Sequence, residues 1–264
     1  MGEVADLVIM ASAVLFSGGL DSAVLLADEA ARGDVQPIYV SVGLAWEALE
    51  RAVVARLLAS PPFAGRVRPL ASLSVDMTDV YAASHWARAG APPAYHTPDE
   101  EVYLPGRNVV LLGKAGVFAA SASLDRLVIG TLDHNPFPDA TAEFRRAMAR
   151  ALSLGLAHDL HVDAPYSATS KAEVIRRGAA LGVPFELTLS CMNPAARVRQ
   201  VREVRGEPIE PSEPSEPSEP SEPSEPFGPV HCGLCSKCRE RHDAFIEAGI
   251  DDPTTYADER FVRA

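Results

Sequence analysis

Short apolar runs alternate along the chain with longer segments in which apolar positions recur every three or four residues. Short runs bounded by Gly, Asp or Pro are typical of buried strands, and the longer period is typical of helices. The pattern predicts strands at residues 11–16, 37–42 and 127–130. It predicts helices at residues 22–31, 46–58, 109–122, 142–152 and 170–181. Because the two types alternate, we expect an α/β fold with a doubly wound, mainly parallel sheet.

The helix predicted at residues 170–181 carries signals at both ends. Ser170 stands where an N-cap is expected, Glu173 occupies the capping-box position, and Gly182 follows the last periodic residue. This places Lys171 in the first turn, where the helix dipole does not favour a cation. An anionic ligand would explain that placement, and a solvated lysine is the alternative.

Residues 210–226 contain five consecutive Ser-Glu-Pro triplets. Proline at every third position opposes both helix and sheet, and the segment is almost devoid of apolar residues. We therefore expect an extended, disordered loop at about residues 206–228, which acts as a spacer.

The composition changes this picture in two ways. The chain has 264 residues and is 47% apolar, which is enough for a large domain with a core, and no uninterrupted apolar run reaches the roughly 18 residues of a membrane span. The first ten residues are acidic where a secretory signal would be basic, so we expect a soluble, cytoplasmic protein without a membrane partner. The net charge of −12 disfavours general nucleic-acid binding.

The four cysteines are distributed unevenly. Cys232, Cys235 and Cys238 lie within seven residues, and Cys191 is the remaining one. In a reducing compartment such spacing indicates a metal rather than disulfides, and tetrahedral zinc needs a fourth ligand. We predict a structural zinc site held by all four cysteines, with His231 and His242 as nearby competitors for the fourth position.

The sequence SGGLDS at residues 17–22 lies between the first predicted strand and its helix. Glycines at such a junction let backbone amides turn toward an anion, and the helix N-terminus adds a favourable dipole. The segment matches neither the usual phosphate loop nor the dinucleotide fingerprint. It is therefore either a different kind of phosphate cradle or a plain turn.

SGGLDS resembles the pyrophosphatase loop of the PP-loop, N-type ATP pyrophosphatases. Three further stretches resemble the 7-cyano-7-deazaguanine synthase (QueC-type) family: LPGRNVVLL at 104–112, TSKAEVIRRGAALGVPFELTLSC at 169–191 and HCGLCSKCRERHDAFIEAGIDDPT at 231–254. The resemblance implies an adenine nucleotide alpha hydrolase-like (Rossmann-like) α/β domain that binds ATP at residues 1–190. It also implies a zinc-binding, helical C-terminal region at residues 191–264.

The family resemblance implies an ATP-dependent ligase. ATP adenylates a 7-deazapurine carboxylate, 7-carboxy-7-deazaguanine, ammonia converts it to the amide, and a second adenylation gives the nitrile. Catalysis would involve Lys171, Asp21 and Arg107, with Mg²⁺ neutralising the phosphates. The ATP pyrophosphate would be held by the loop residues Phe16, Ser17, Gly18, Gly19, Leu20, Asp21 and Ser22.

Two segments depart from the family pattern. SVGLAWE follows the second predicted strand, and GTLDHNPFPDATAEF stands where the family carries a Tyr-Ser-Gly-Tyr-Pro-Asp-Cys-Arg segment. In the second segment, Asp133 and Asp139 are candidates to bind the heterocycle, or are a loop cap and a solvated charge. The departures leave open another amine as acceptor, such as a protein amine. RNA-base thiolation, a silent nucleotide-binding module and a homodimer also stay open.

Overall fold

The computed structural model describes residues 11–194 and 228–262, and its core is a five-stranded sheet. All four pairings in this sheet are parallel, and the spatial order is β3-β2-β1-β4-β5. The strands are β1 (Ser12–Leu15), β2 (Val35–Ser41), β3 (Ala71–Ser74), β4 (Arg126–Val128) and β5 (His161–Asp163). The order reverses at β1, so the predicted doubly wound, parallel sheet is confirmed.

Seven α-helices accompany the strands in the described residues. They are α1 (Leu20–Ala30), α2 (Glu47–Leu58), α3 (Trp86–Ala89), α4 (Arg107–Ser121), α5 (Ala142–Leu156), α6 (Lys171–Ala180) and α7 (Ser236–Ala248). Single 3-10 turns occur at Asp99–Val102, Pro138–Ala140 and Phe185–Leu187, and β6 (Val230–His231) pairs in parallel with β7 (Thr255–Tyr256). The five predicted helices correspond to α1, α2, α4, α5 and α6.

The central strands follow from their sequences. All four residues of β1 are buried, because β2 and β4 pair with it on either side and helices cover both faces. β2 begins two residues before the predicted Pro37, because Val35 and Gln36 already pair with β1. The buried side-chain amide of Gln36 donates hydrogen bonds to the carbonyls of Pro37 and Pro69. The apolar pattern alone therefore predicts a strand that is too short, because it leaves out the polar residue Gln36.

The close contact between α1 and α6 determines where Lys171 lies. A Cβ at Gly178 would come within 2.5 Å of a Val24 methyl and 2.7 Å of the Phe185 ring, so a larger residue would push the two helices apart. α6 begins with the predicted capping box: Ser170 accepts from the Glu173 amide, and the Glu173 carboxylate accepts from the Ser170 amide. Lys171 is consequently fixed beside the start of α1.

The C-terminal part of the described chain packs against the sheet domain through α7, which contacts α6. Of the predicted Ser-Glu-Pro loop at residues 206–228, all but Gly228 lies outside the described residues. Among the helices that are described, none is both long and apolar enough to span a bilayer. The predicted boundary between residues 190 and 191 stays a prediction.

Candidate active site

The loop at residues 16–22, which the sequence predicts to be a phosphate cradle and which we call the phosphate loop, turns sharply between β1 and α1. Gly18 has φ +75°, and a Cβ there would lie 3.0 Å from Val53 Cγ1 and 3.1 Å from Val54 Cγ2 on α2. Both the left-handed conformation and the contact with α2 therefore require glycine at this position.

The hydroxyl groups of Ser17 and Ser22 stabilise the loop through hydrogen bonds inside it. Ser22 Oγ donates to the Gly19 carbonyl at 2.9 Å and lies 3.3 Å from Ser17 Oγ. α1 has no side-chain cap, so its first-turn amides lack the partner that a capping residue supplies. The loop therefore presents backbone N–H groups and a helix dipole to an anion, as the sequence predicts for a phosphate cradle.

Lys171 joins this loop through an ion pair. Its Nζ lies 2.9 Å from Asp21 Oδ2 and 2.7 Å from Glu240 Oε1 of α7. Burial alone would lower the pKa of the ammonium, but the adjacent charges of Asp21 and Glu240 outweigh it and raise the pKa above its ordinary value. Lys171 is thus a fixed cation beside the phosphate loop.

A cavity of about 260 Å³ opens at the carboxyl ends of β1 and β4, where the strand order reverses. Its wall combines the phosphate loop, β2, the starts of α2 and α4, and residues 129–139. Among the described residues, several buried polar side-chain atoms lack a hydrogen-bond partner, and three of the residues that carry them line this cavity. These atoms are Asp21 Oδ1, Arg107 Nε and Thr131 Oγ1. Buried polar atoms without a partner in the protein are expected where a bound ligand supplies the missing hydrogen bonds.

Arg107 is the first residue of α4 and projects into this cavity wall. The preceding Gly106 has φ +77°, so the chain turns abruptly into the helix. A guanidinium whose Nε lacks a partner can bind a carboxylate or phosphate bidentately. The prediction that Arg107 stands at a helix start is confirmed, and its role in catalysis stays a prediction.

The two aspartates predicted to bind substrate lie in different settings. Asp139 lines the cavity, and its carboxylate accepts from the backbone and side-chain amides of Asn108, the second residue of α4. Asp133 is exposed and absent from the cavity wall, and it pairs with its neighbour His134. Substrate binding by either residue stays a prediction, and the geometry favours Asp139.

Two glutamates at the start of α2 line the cavity and were missed by sequence reasoning. Glu50 accepts from Tyr39 Oη at 3.0 Å and from Trp46 Nε1 at 3.1 Å, and Glu47 accepts from the Val42 amide at 2.7 Å. Burial raises the pKa of Glu50, while the nearby charge of Arg107 works in the opposite direction. The sequence contains one signal for these glutamates, which is their position along α2. Both fall on the helix face that carries its buried residues.

An aromatic pair also lines the cavity. The rings of Tyr103 and Phe137 both line the cavity and are stacked, with centroids 5.1 Å apart and planes inclined by 26°. One comes from the segment before α4 and the other from the segment after β4. Their faces offer the kind of contact that a planar heterocycle uses.

The four cysteines lie together, with their sulfur atoms within 4.8 Å of one another. The Sγ–Sγ separations are 3.5 Å for Cys235–Cys238, 3.8 Å for Cys232–Cys238 and 3.9 Å for Cys191–Cys235. Tetrahedral zinc with Zn–S bonds of about 2.3 Å requires about 3.8 Å between sulfurs. The residues present therefore fit a zinc ion.

Backbone amides surround these sulfurs as they do in thiolate metal sites. The amides of Asn193 and Cys232 each donate to Cys191 Sγ at 3.3 Å. Neither competitor, His231 nor His242, belongs to this group of ligand atoms, and His231 Nε2 accepts from the Ser190 amide at 3.1 Å. The predicted grouping of the four cysteines is confirmed, and the identity of the metal stays a prediction.

Comparison with known proteins places these features in a family. The model of the family described as queuosine biosynthesis protein QueC matches residues 11–204. A 7-cyano-7-deazaguanine synthase from Methanoculleus marisnigri is 30% identical over 92% of this chain and 96% of its own length. One from Anaeromyxobacter dehalogenans is 30% identical over 92% and 94%, and one from Caldicellulosiruptor bescii is 28% identical over 94% and 97%. The similarity thus extends over nearly the full length of these relatives.

Proposed function

The chain belongs to the QueC family of queuosine biosynthesis proteins, and from that premise we propose that it is an ATP-dependent ligase of the 7-cyano-7-deazaguanine synthase type. Its substrate is the carboxylate of 7-carboxy-7-deazaguanine. The carboxylate oxygen attacks the α-phosphorus of ATP, and pyrophosphate leaves. Ammonia then attacks the acyl carbon, AMP departs, and the product is the amide.

The second half of the reaction converts the amide to the nitrile. The amide oxygen takes up an adenylyl group from another ATP, again with loss of pyrophosphate. Loss of AMP and of both nitrogen-bound protons then forms the carbon–nitrogen triple bond. Each adenylation replaces a poor oxide leaving group by AMP, so positioning and electrostatics are the main demands on the protein.

The observation that carries this proposal is the cavity where the strand order reverses. There the phosphate loop, Arg107 and the partnerless atom Asp21 Oδ1 line the wall, and the ammonium of Lys171 lies behind it in an ion pair with Asp21 Oδ2. We assign the pyrophosphate to residues 16–22 and Lys171. Asp21 Oδ1 is an oxygen ligand suited to Mg²⁺, which would neutralise phosphate charge.

The remaining cavity wall suits a small planar acid. We assign the carboxylate of the substrate to Arg107, and its ring to the stacked pair Tyr103 and Phe137. A zinc ion held by the four cysteines would stabilise the C-terminal region, because all its ligand positions are filled by protein and none is open to substrate.

The test is mass spectrometry of the small-molecule products. Zinc-loaded protein is incubated with ATP, magnesium, ammonium and 7-carboxy-7-deazaguanine. Nitrile together with AMP and pyrophosphate is the expected result. The absence of AMP would refute adenylation of this acid.

A second candidate transfers the activated carboxylate to another amine, such as one on a protein. The altered segment at residues 130–144, part of which lines the cavity, favours it. In the same assay it predicts AMP with adenylate or amide but no nitrile. RNA thiolation is disfavoured, because the chain has only four cysteines and all four lie in the metal cluster.

A further inference from the structure

Glu240 connects the cysteine cluster to the phosphate loop. It lies on α7, two residues after the predicted metal ligand Cys238, and its Oε1 accepts from Lys171 Nζ at 2.7 Å. Its second oxygen, Oε2, accepts from Lys237 Nζ. The carboxylate is therefore held at both oxygens and cannot rotate freely.

The geometry of an ammonium group gives this contact a consequence for Lys171. An ammonium has three N–H donors. One is directed to Asp21 Oδ2 and another to Glu240 Oε1, at 2.9 and 2.7 Å. Two fixed acceptors from different elements determine the direction of the third N–H, which is left for a ligand on the phosphate loop.

A second contact links the same two regions independently. The Leu189 amide donates to the Gly18 carbonyl at 2.9 Å, and Leu189 lies two residues before Cys191. The cysteine cluster thus supports the loop at its backbone through Leu189 and at its cation through Glu240. Glu240 is the link that can be removed without altering a cysteine or the loop.

From these contacts we propose that Glu240 is a positioning residue, which orients Lys171 toward the pyrophosphate that leaves during adenylation. The proposal rests on the proposed function, because it takes the loop to hold the ATP phosphates. Without Glu240, Lys171 keeps its pair with Asp21 but gains freedom to rotate. The protein then binds ATP through its other contacts and stabilises the departing pyrophosphate less well.

The experiment compares Glu240→Gln, which keeps the side-chain shape and removes the charge, with Glu247→Gln as the matched control. Glu247 is an exposed glutamate on the same helix, outside the site. AMP release is measured against ATP concentration, with 7-carboxy-7-deazaguanine and ammonium present. We expect Glu240→Gln to lower kcat by about tenfold to a hundredfold with KM for ATP nearly unchanged, as for a misplaced catalytic group. The control should behave as wild type.

Two further measurements separate positioning from loss of structure. Bound zinc, measured by elemental analysis, should be the same in all three proteins. Binding of magnesium pyrophosphate, measured by titration calorimetry, should be about tenfold weaker in Glu240→Gln than in wild type. This second measurement needs no acid substrate, so it tests Glu240 even if the wild type fails to adenylate 7-carboxy-7-deazaguanine.

Any of three results would overturn the proposal. Equal pyrophosphate affinity in wild type and Glu240→Gln would do so, as would unchanged kcat. A loss of activity that matches a loss of bound zinc would also contradict it, because the residue would then act only by maintaining the cluster.

Discussion

Replacing Lys171 by Met should destabilise the protein by an amount that can be worked out from its ion pairs. The substitution removes the cation and keeps much of the side-chain volume. Asp21 and Glu240 then face each other, and the hydrogen-bond lengths of 2.9 and 2.7 Å limit the separation of their oxygens to about 5.6 Å. At an effective dielectric constant of about 20, this repulsion is about 3 kcal/mol.

Burial decides how much of that repulsion is felt. The side chains of Lys171, Asp21 and Glu240 are 12%, 27% and 24% exposed. They lie between a surface pair, worth at most about 1 kcal/mol, and a fully buried pair, where removing one partner costs about 3–5 kcal/mol. We expect Lys171→Met to lower the free energy of unfolding by about 2–3 kcal/mol.

The assay is urea denaturation of zinc-loaded protein at neutral pH, with Lys171→Met, Glu240→Gln and the double variant. Because the double variant has no repulsion between two carboxylates, its loss should be smaller than the sum of the two single losses by about 1–2 kcal/mol. A single-variant effect below about 0.5 kcal/mol, or strict additivity, would refute the reasoning.

Four other expectations follow from single contacts. Cys235→Ser should abolish stoichiometric zinc binding and lower the thermal midpoint, measured by elemental analysis and calorimetry, because three thiolates leave the tetrahedron open. Arg107→Gln should raise KM for 7-carboxy-7-deazaguanine about tenfold to a hundredfold, because the substrate carboxylate loses a hydrogen bond to a charged group. The amount of bound zinc in this variant should equal that in wild type. Gly18→Ala should weaken magnesium pyrophosphate binding in calorimetry and lower stability by about 1–2 kcal/mol, because of φ +75° and contact with α2. Burial raises the pKa of Glu50 above its ordinary value of 4.5. Its contribution to the free energy of unfolding is therefore full below pH 4.5 and is lost as the pH rises through the higher folded-state pKa. In urea denaturation across this pH range, the free energy of unfolding of Glu50→Gln should depend less on pH than that of wild type.

The sequence was most informative where one local rule decides the structure. Four buried apolar residues predict β1, and the paired signals Ser170 and Glu173 predict the start of α6. The clustered cysteines likewise predict their own grouping, because their spacing is part of the ligand chemistry. For β1, the start of α6 and the three cysteines 232, 235 and 238, a short segment contains all the information, whereas Cys191, 41 residues before Cys232, is assigned as the one cysteine that remains.

The edge strands β3 and β5 and the roles of Glu50 and Glu240 were missed for the opposite reason. β3 alternates between half-buried and exposed positions, and β5 has only three residues, so neither shows an apolar run. Glu50 is charged, and what makes it a cavity residue is its contacts with Tyr39 and Trp46. Glu240 becomes relevant only because α7 packs on α6. Apart from the helical spacing that puts Glu50 on the buried face of α2, these are tertiary facts that no local pattern contains.

The two halves of the site are held by different parts of the fold. The phosphate loop and Lys171 are fixed by α1, α6 and α7, through Gly178, Leu189 and Glu240. The rest of the cavity wall comes from β2, the start of α2 and residues 129–139, and it includes Glu47 and residues 130–139 from the two segments that depart from the family pattern. Under the proposed function, changes in that part of the wall alter the acid or the amine that is accepted and leave Lys171 and Glu240 in place. On that proposal, the acceptor side of the cavity can diverge while the loop at residues 16–22 and Lys171 keep their positions.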